Sequence, residues 1–179
     1  EEIEDMKRLL MAYLSTEADL FTGDDRVEVF TNHTNTVGNA MICVLYAALP
    51  SDAQLAVFET TPPGIRKIIL STNIAETSVT LPGIRFVIDS GKFKSRNVSV
   101  TGMETLQISD VSQAQAAQRA GRAGRVQAGF CFRLYTQDAF ERLEPSSVPE
   151  ILRVNLAQVV LQLKGMGVNP NTFEFVTPP

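Results

Sequence analysis

The run MICVLYA (residues 41–47) does most to limit what this chain can become. It is apolar on both alternating faces, so as a strand it needs cover on both sides. KIILS (67–71) and RFVIDS (85–90) are two more short strands of the same kind. Helical or loop segments separate all three, which predicts an α/β fold with a parallel sheet flanked by helices. FCFRLY (130–135) supplies a further strand. KFKSRNVSV and METLQIS flank Thr101-Gly102 and read as a β-hairpin insertion whose first arm is polar and cationic.

The helices follow from period and punctuation. Ile3, Met6, Leu9, Leu10, Tyr13 and Leu14 recur at helical spacing and predict an amphipathic helix over 1–14. The polar stretch STEADLFTGDDRVEVFTNHTNTVGN (15–39) has no sustained period and is expected to be a long surface loop. LPSDAQLAVFE should be helical with Ser51 as N-cap, ended by TPPG. A helix is predicted from about Ser112 to Arg122. Another, PEILRVNLAQVVLQLKGMG, runs from Pro149 with proline at its start and glycine past its end. The change of character near EPSSVP (144–149) places a domain boundary between 145 and 146.

Charge is unevenly spread over the net −4. Residues 1–60 carry 11 acidic and 3 basic side chains, while residues 61–125 carry 4 and 9. The basic middle is where a polyanion would bind, although solvated strand edges explain the same counts equally well. No apolar run is long enough to span a bilayer, so no membrane partner is expected. The chain starts at an acidic, helical segment without methionine and stops at TPP, which reads as a piece of a longer protein. Cys43 and Cys131 sit inside apolar strands and are expected as free buried thiols of a reducing compartment, ahead of a disulfide. A single histidine, His33, with no Cys/His cluster argues against a metal site.

Two stretches carry chemistry. QRAGRAGR (118–125) places three arginines in eight residues, separated only by alanine and glycine. If helical, it puts Gln118, Arg122 and Arg125 on one face and Arg119 about a quarter-turn away. The small residues between them let another surface approach closely. Two planar guanidinium groups and an amide suit a phosphate whose charge grows in a transition state. Arginines held by the protein's own carboxylates are an equally open reading of the octapeptide. STNIAETSVT (71–80) follows the KIIL strand and packs Ser71, Thr72, Asn73, Thr77, Ser78 and Thr80 into ten residues. Hydroxyls and amides at the carboxyl end of such a strand make a cradle for a phosphodiester backbone. Turn formation and capping would use one or two of them, not six.

Together these stretches resemble motifs V and VI of the DEAH-box RNA helicases, ATP-driven enzymes with two RecA-like lobes. The resemblance extends over most of the chain: EEIE, ALPSDAQLAVFETTPPGIRK, RFVIDSGKFK with the hairpin, and CFRLYT…VPEILRVNLAQVVLQLKGMG all find counterparts. It implies that residues 1–145 form the second RecA-like lobe, its first strand lying before Glu1, and that 146–179 begin a helical winged-helix domain. It also implies that Gln118, Arg122 and Arg125 face the ATP γ-phosphate, with Gln118 positioning the attacking water or phosphate. Phe58, otherwise a core residue of the 51–59 helix, matches an aromatic that stacks on adenine. Thr72, Asn73 and Thr80 fall where the family contacts RNA backbone or nucleotide, with Ser71 and Thr77 in the same cradle.

The implied ligands are ATP and Mg²⁺, both held mainly by the first lobe. The implied partners are single-stranded RNA and the first RecA-like lobe, with a helicase-activating protein as a further candidate. An intracellular protein is expected, of nucleus or cytoplasm, with the nucleus favoured. One position departs from the family: Pro82 stands where many members have an acidic ribose contact. No GxxxxGK[ST] and no DExH sequence occurs in the 179 residues, so these arginines are half of an ATPase site. A non-enzymatic nucleic-acid-binding or protein-interaction module on the same fold is the rival reading.

Overall fold

In the computed structural model, residues 2–21, 27–31, 34–37, 40–98 and 104–178 are described. They fall into two compact units, one of residues 1–87 with 120–130 and one of 88–119 with 131–179.

The first unit opens with α1 (Glu2–Phe21), which ends seven residues beyond the end that the sequence period predicts. The Ser15 and Thr16 hydroxyls donate back to the Met11 and Ala12 carbonyls, at 2.9 and 3.0 Å, and so join the helix instead of ending it. The expected 15–39 loop is therefore corrected. Besides the extended helix it contains two strands, β1 (Val27–Thr31) and β2 (Thr34–Val37), rich in β-branched residues. They pair antiparallel with each other, and β2 pairs antiparallel with β3 (Ala40–Leu45). His33 lies outside the described residues.

All six residues of β3 are buried, as its unbroken apolar run requires. After β3 come α2 (Ser51–Leu55) and a short 3₁₀ turn, Ala56–Phe58. Ser51 is the first helical residue, not the N-cap. Gln54 N–H donates to the Pro50 carbonyl at 3.0 Å, which makes Pro50 the cap position, without a side-chain hydrogen bond. Strand β4 (Arg66–Ser71) then runs parallel to β3 in the register Met41↔Lys67, Cys43↔Ile69, Leu45↔Ser71. The core forms on that face: Met41, Cys43, Leu45 and Val57 pack with Ile65, Ile69, Ile74, Ala75, Val79 and Leu81. The sheet order is β1-β2-β3-β4, parallel at the β3–β4 pair as predicted and antiparallel on its far side. β3 is covered throughout, whereas β4 is exposed at both ends. A one-turn helix, α3 (Ile74–Thr77), follows β4.

Strand β5 (Phe86–Asp89) pairs with β8 (Phe130–Arg133) in a two-stranded sheet. In the second unit, β6 (Lys92–Val98) and β7 (Glu104–Asp110) form the predicted hairpin, closed at its base by a Lys92–Asp110 ion pair. Its Thr101-Gly102 turn lies outside the described residues. Helix α4 (Gln113–Ala120) begins at a reciprocal cap: Ser112 Oγ accepts from Gln115 N–H, and Gln115 Oε1 accepts from Ser112 N–H. It stops two residues before the predicted end. Glycine is among the costliest residues in a helix, and Gly121 and Gly124 turn the chain there instead.

The predicted helix from Pro149 is also interrupted. A 3₁₀ turn (Glu150–Leu152) follows α5 (Gln137–Glu141), and α6 spans only Ala157–Gly165. Asn155 Oδ1 accepts the Ala157 N–H at 2.8 Å, starting a new helix where the old one would have continued. The glycine past the end behaves as predicted. Gly167, at φ 76°, donates to the Lys164 carbonyl, and Val168 donates to that of Leu163. Both cysteines are free, Cys43 buried and Cys131 partly so. Burial pushes both thiols above their ordinary value, away from thiolate chemistry.

Candidate functional site

The hydroxyl-rich stretch leaves the carboxyl end of β4. Thr72 N–H donates to the Leu45 carbonyl at 3.2 Å, and Ser71 Oγ lies 3.1 Å from the same oxygen. The loop thus starts from a fixed point on the buried strand. Ser71, Thr72, Asn73, Thr77, Ser78 and Thr80 are all exposed, whereas Ile74, Ala75 and Val79 turn toward the core. Asn73 occupies the N-cap position of α3, yet its side chain makes no capping hydrogen bond. The polar residues therefore form an outward-facing row over an apolar floor. Some also serve local structure: Ser71 Oγ reaches the Leu45 and Thr72 carbonyls, Thr72 Oγ1 accepts from Ile74 N–H, and the Thr77 and Ser78 hydroxyls lie 3.5 Å apart.

The turn after α4 comes to this row. Arg125 Nη1 donates to Thr80 Oγ1 at 2.6 Å, and Arg122 Nη1 donates to the Val79 carbonyl at 3.3 Å. Arg122 is half-buried and Arg125 exposed. Burial, with Arg125 adding to it, pulls the Arg122 guanidinium below its ordinary pKa, while Glu76 acts in the opposite sense. Glu76 is itself 6 % exposed. Gly129 holds this turn close: a Cβ there would stand 2.3 Å from the Ala123 carbonyl oxygen and 2.5 Å from that of Arg85. Phe130 N–H donates to the same Arg85 carbonyl at 2.8 Å. Arg122 and Arg125 thus do not share the predicted helical face with Gln118, because neither is on α4. A glycine-broken turn brings them to one edge instead.

Phe58 ends the 3₁₀ turn and is 43 % exposed, while its neighbour Val57 takes the core place at 3 %. Pro82, also exposed, follows this stretch directly.

Gln118 and Arg119 sit on the last turn of α4, in the second unit. Gln118 is exposed. Arg119 turns inward: its Nη1 donates to Asp89 Oδ1 at 2.7 Å and to the Lys92 carbonyl at 3.2 Å. Asp89 also accepts from Gly91 N–H at 2.9 Å and from Tyr135 Oη at 2.8 Å. Burial raises the Asp89 carboxyl, but these three donors outweigh it and leave its pKa below the ordinary value. Burial and that carboxylate push the Tyr135 phenol up to about 12.

Asp89 and Glu76 were not singled out from sequence as functional. The available signal was a lone acid inside an apolar strand, or among hydroxyls, in a segment rich in arginine. Among the described residues, no three His, Cys, Asp or Glu side chains converge as a metal site would require.

Residues 5–127 match the family described as helicase conserved C-terminal domain. The ATP-dependent RNA helicase DHX33 of Mus musculus is 45 % identical over 168 residues, covering 88 % of this chain and 24 % of that protein. The probable ATP-dependent RNA helicase DHX35 of Homo sapiens is 51 % identical over 137 residues, covering 75 % and 20 %. Among solved structures, the DEAH/RHA helicase HrpB of Escherichia coli superposes with a TM-score of 0.72 at 37 % identity, covering 79 % of this chain and 18 % of that one. The chain spans a quarter or less of the length of these relatives. Its fold is RecA-like, and it belongs to the helicase conserved C-terminal domain family, with the DEAH-box RNA helicases as its kin.

Proposed function

We propose that this chain is the C-terminal lobe of an enzyme that couples ATP hydrolysis to RNA strand translocation or to remodelling of RNA–protein complexes. The observation that carries this is the meeting of the arginine turn with the exposed hydroxyl row. The Arg122–Arg125 turn hydrogen-bonds into Val79 and Thr80, at the end of the hydroxyl row. One edge of the lobe thus offers guanidinium groups to one polyphosphate and hydroxyls to another.

In this reading Arg122 and Arg125 stabilise charge on the γ-phosphate as arginine fingers, and Gln118 positions the attacking water or phosphate. Phe58 stacks on the adenine. Ser71, Thr72, Asn73, Thr77 and Thr80 contact the RNA backbone. The donor set fits a triphosphate. It does not fit Mg²⁺: Glu76, the one carboxylate in this stretch, is buried and coupled to Arg122. The cation would therefore be held mainly by the first RecA-like lobe, which would also bind most of the nucleotide. Residues 1–145 would form the lobe and 146–179 the opening of a winged-helix domain. A helicase-activating protein is a further proposed partner, and the nucleus is the favoured compartment.

The RNA half of this reading is tested by fluorescence anisotropy with a single-stranded oligonucleotide. Asn73→Ala removes no capping bond, so it should leave the thermal midpoint unchanged while weakening binding about 3- to 10-fold. Thr80→Ala should do the same. Unchanged binding by both variants at low salt would remove RNA from this loop.

A further inference from the structure

Phe58 is an exposed ring on a weak support. The 3₁₀ turn that carries it is three residues long, and its last carbonyls have no partner within the turn. The chain leaves through Glu59, in extended geometry at ψ 147°, into Thr60, Thr61, Pro62 and Pro63, where the two prolines contribute no N–H. Such a segment should be loose. A single ammonium group on β4 ties it to the sheet.

Lys67 stands on β4 opposite Met41, on the face of the sheet that carries the core. Its Nζ donates to the Val57 carbonyl at 2.9 Å and also to the Glu59 carbonyl. Those two residues flank Phe58 on either side. The lysine thus pins the backbone before and after the ring, and Val57 anchors the same turn in the core. An aliphatic residue at 67 could pack against Met41 equally well but would leave both carbonyls unpaired. The cation placed here, at the carbonyl end of a helical turn, serves those carbonyls.

We propose that Lys67 is the positioning residue for base recognition in this lobe: it presents the Phe58 ring to the purine of the nucleotide without touching the ligand itself. This rests on the reading of Phe58 as the adenine-stacking aromatic. A ring held in place before binding loses little freedom when the base arrives, so the contribution appears in nucleotide affinity and not in the chemical step.

The test is steady-state kinetics of the full-length protein with saturating RNA, using ATP and UTP in turn. The variants are Lys67→Met, Lys67→Gln, Lys67→Arg, Phe58→Ala and the Lys67→Met/Phe58→Ala double. Lys67→Met should raise KM for ATP about tenfold, leave kcat within about twofold, and raise KM for UTP less, since a pyrimidine stacks more weakly. Lys67→Gln should fall between, with one donor group in place of the ammonium, and it carries the test if Lys67→Met does not fold. Lys67→Arg should recover most of the ATP affinity. In the Phe58→Ala background Lys67→Met should add nothing further.

Equal effects on ATP and UTP, a fall in kcat with unchanged KM, or a full additional loss in the Phe58→Ala background would reduce Lys67 to a structural residue and overturn the proposal. If Phe58→Ala itself leaves KM for ATP unchanged, the adenine reading fails, and the Lys67 proposal falls with it.

Discussion

Asp89 has no exposed side-chain surface, and its two oxygens accept from Gly91, Arg119 and Tyr135. Its folded pKa is depressed. Its contribution to stability is therefore complete above the ordinary carboxylate value of 3.8 and is lost as the pH falls through the lower folded value. Tyr135 acts at the other limb. Its pKa is raised from 10.0 to about 12, so its contribution is complete below 10.0 and is lost as the pH rises toward 12. Asp89→Asn removes the buried carboxylate charge that faces the Arg119 guanidinium and should cost about 3 kcal/mol, flattening the acid limb of the thermal midpoint. Tyr135→Phe should cost about 1 kcal/mol and flatten the alkaline limb. Melting curves from pH 3 to 11 check both. The residues that face outward were legible in the sequence because six hydroxyls and amides in ten positions exceed what turns need. Asp89 was not, because within RFVIDS it reads as an ordinary strand residue until a partner 30 positions on is known to reach it.

Among the elements, the strands β3, β4 and β5, the hairpin and the C-terminal glycine cap were readable because apolar runs and turn residues act locally. The errors share a cause: long-range partners, or side chains bonding to nearby backbone, decided whether a helix continued. Ser15 and Thr16 prolonged α1 by bonding backward, Asn155 restarted α6, and β2 became a strand by pairing onto β3, with β1 pairing onto β2. The Arg122–Arg125 turn shows the same dependence, and two glycines in it make opposite predictions. Gly124 has open space where a Cβ would go and no positive φ, so Gly124→Ala should change stability by less than about 1 kcal/mol. Gly129→Ala would drive a Cβ into the Ala123 and Arg85 carbonyls and should cost about 2 kcal/mol or more, moving the arginine turn. Thermal unfolding of the two variants side by side separates them. Equal midpoints would contradict the close approach at Gly129.

At the scale of the molecule, the chain carries a cationic, hydroxyl-lined edge and neither phosphate loop nor DExH sequence. The isolated 179 residues should therefore show no RNA-stimulated phosphate release. They should bind single-stranded RNA weakly, with an affinity that falls steeply as salt rises. What the sequence settled at this scale was the kinship, through two motifs some forty residues apart. What it misread was how the second motif reaches the first: a turn after α4 brings the arginines to Thr80, and no common helical face is involved. In the function proposed above, Arg122 and Arg125 meet charge that grows during γ-phosphoryl transfer, while Arg119 serves the fold through Asp89. The direct measurement is steady-state ATPase kinetics of the full-length protein with saturating RNA, for alanine at each of the three positions. Arg122→Ala and Arg125→Ala should each lower kcat on the order of 10³-fold with little change in nucleotide affinity, and lysine should rescue little. Arg119→Ala should lower the thermal midpoint far more than it lowers turnover of the folded enzyme. A catalytically dead Arg119→Ala beside an Arg122→Ala that turns over normally would contradict the account.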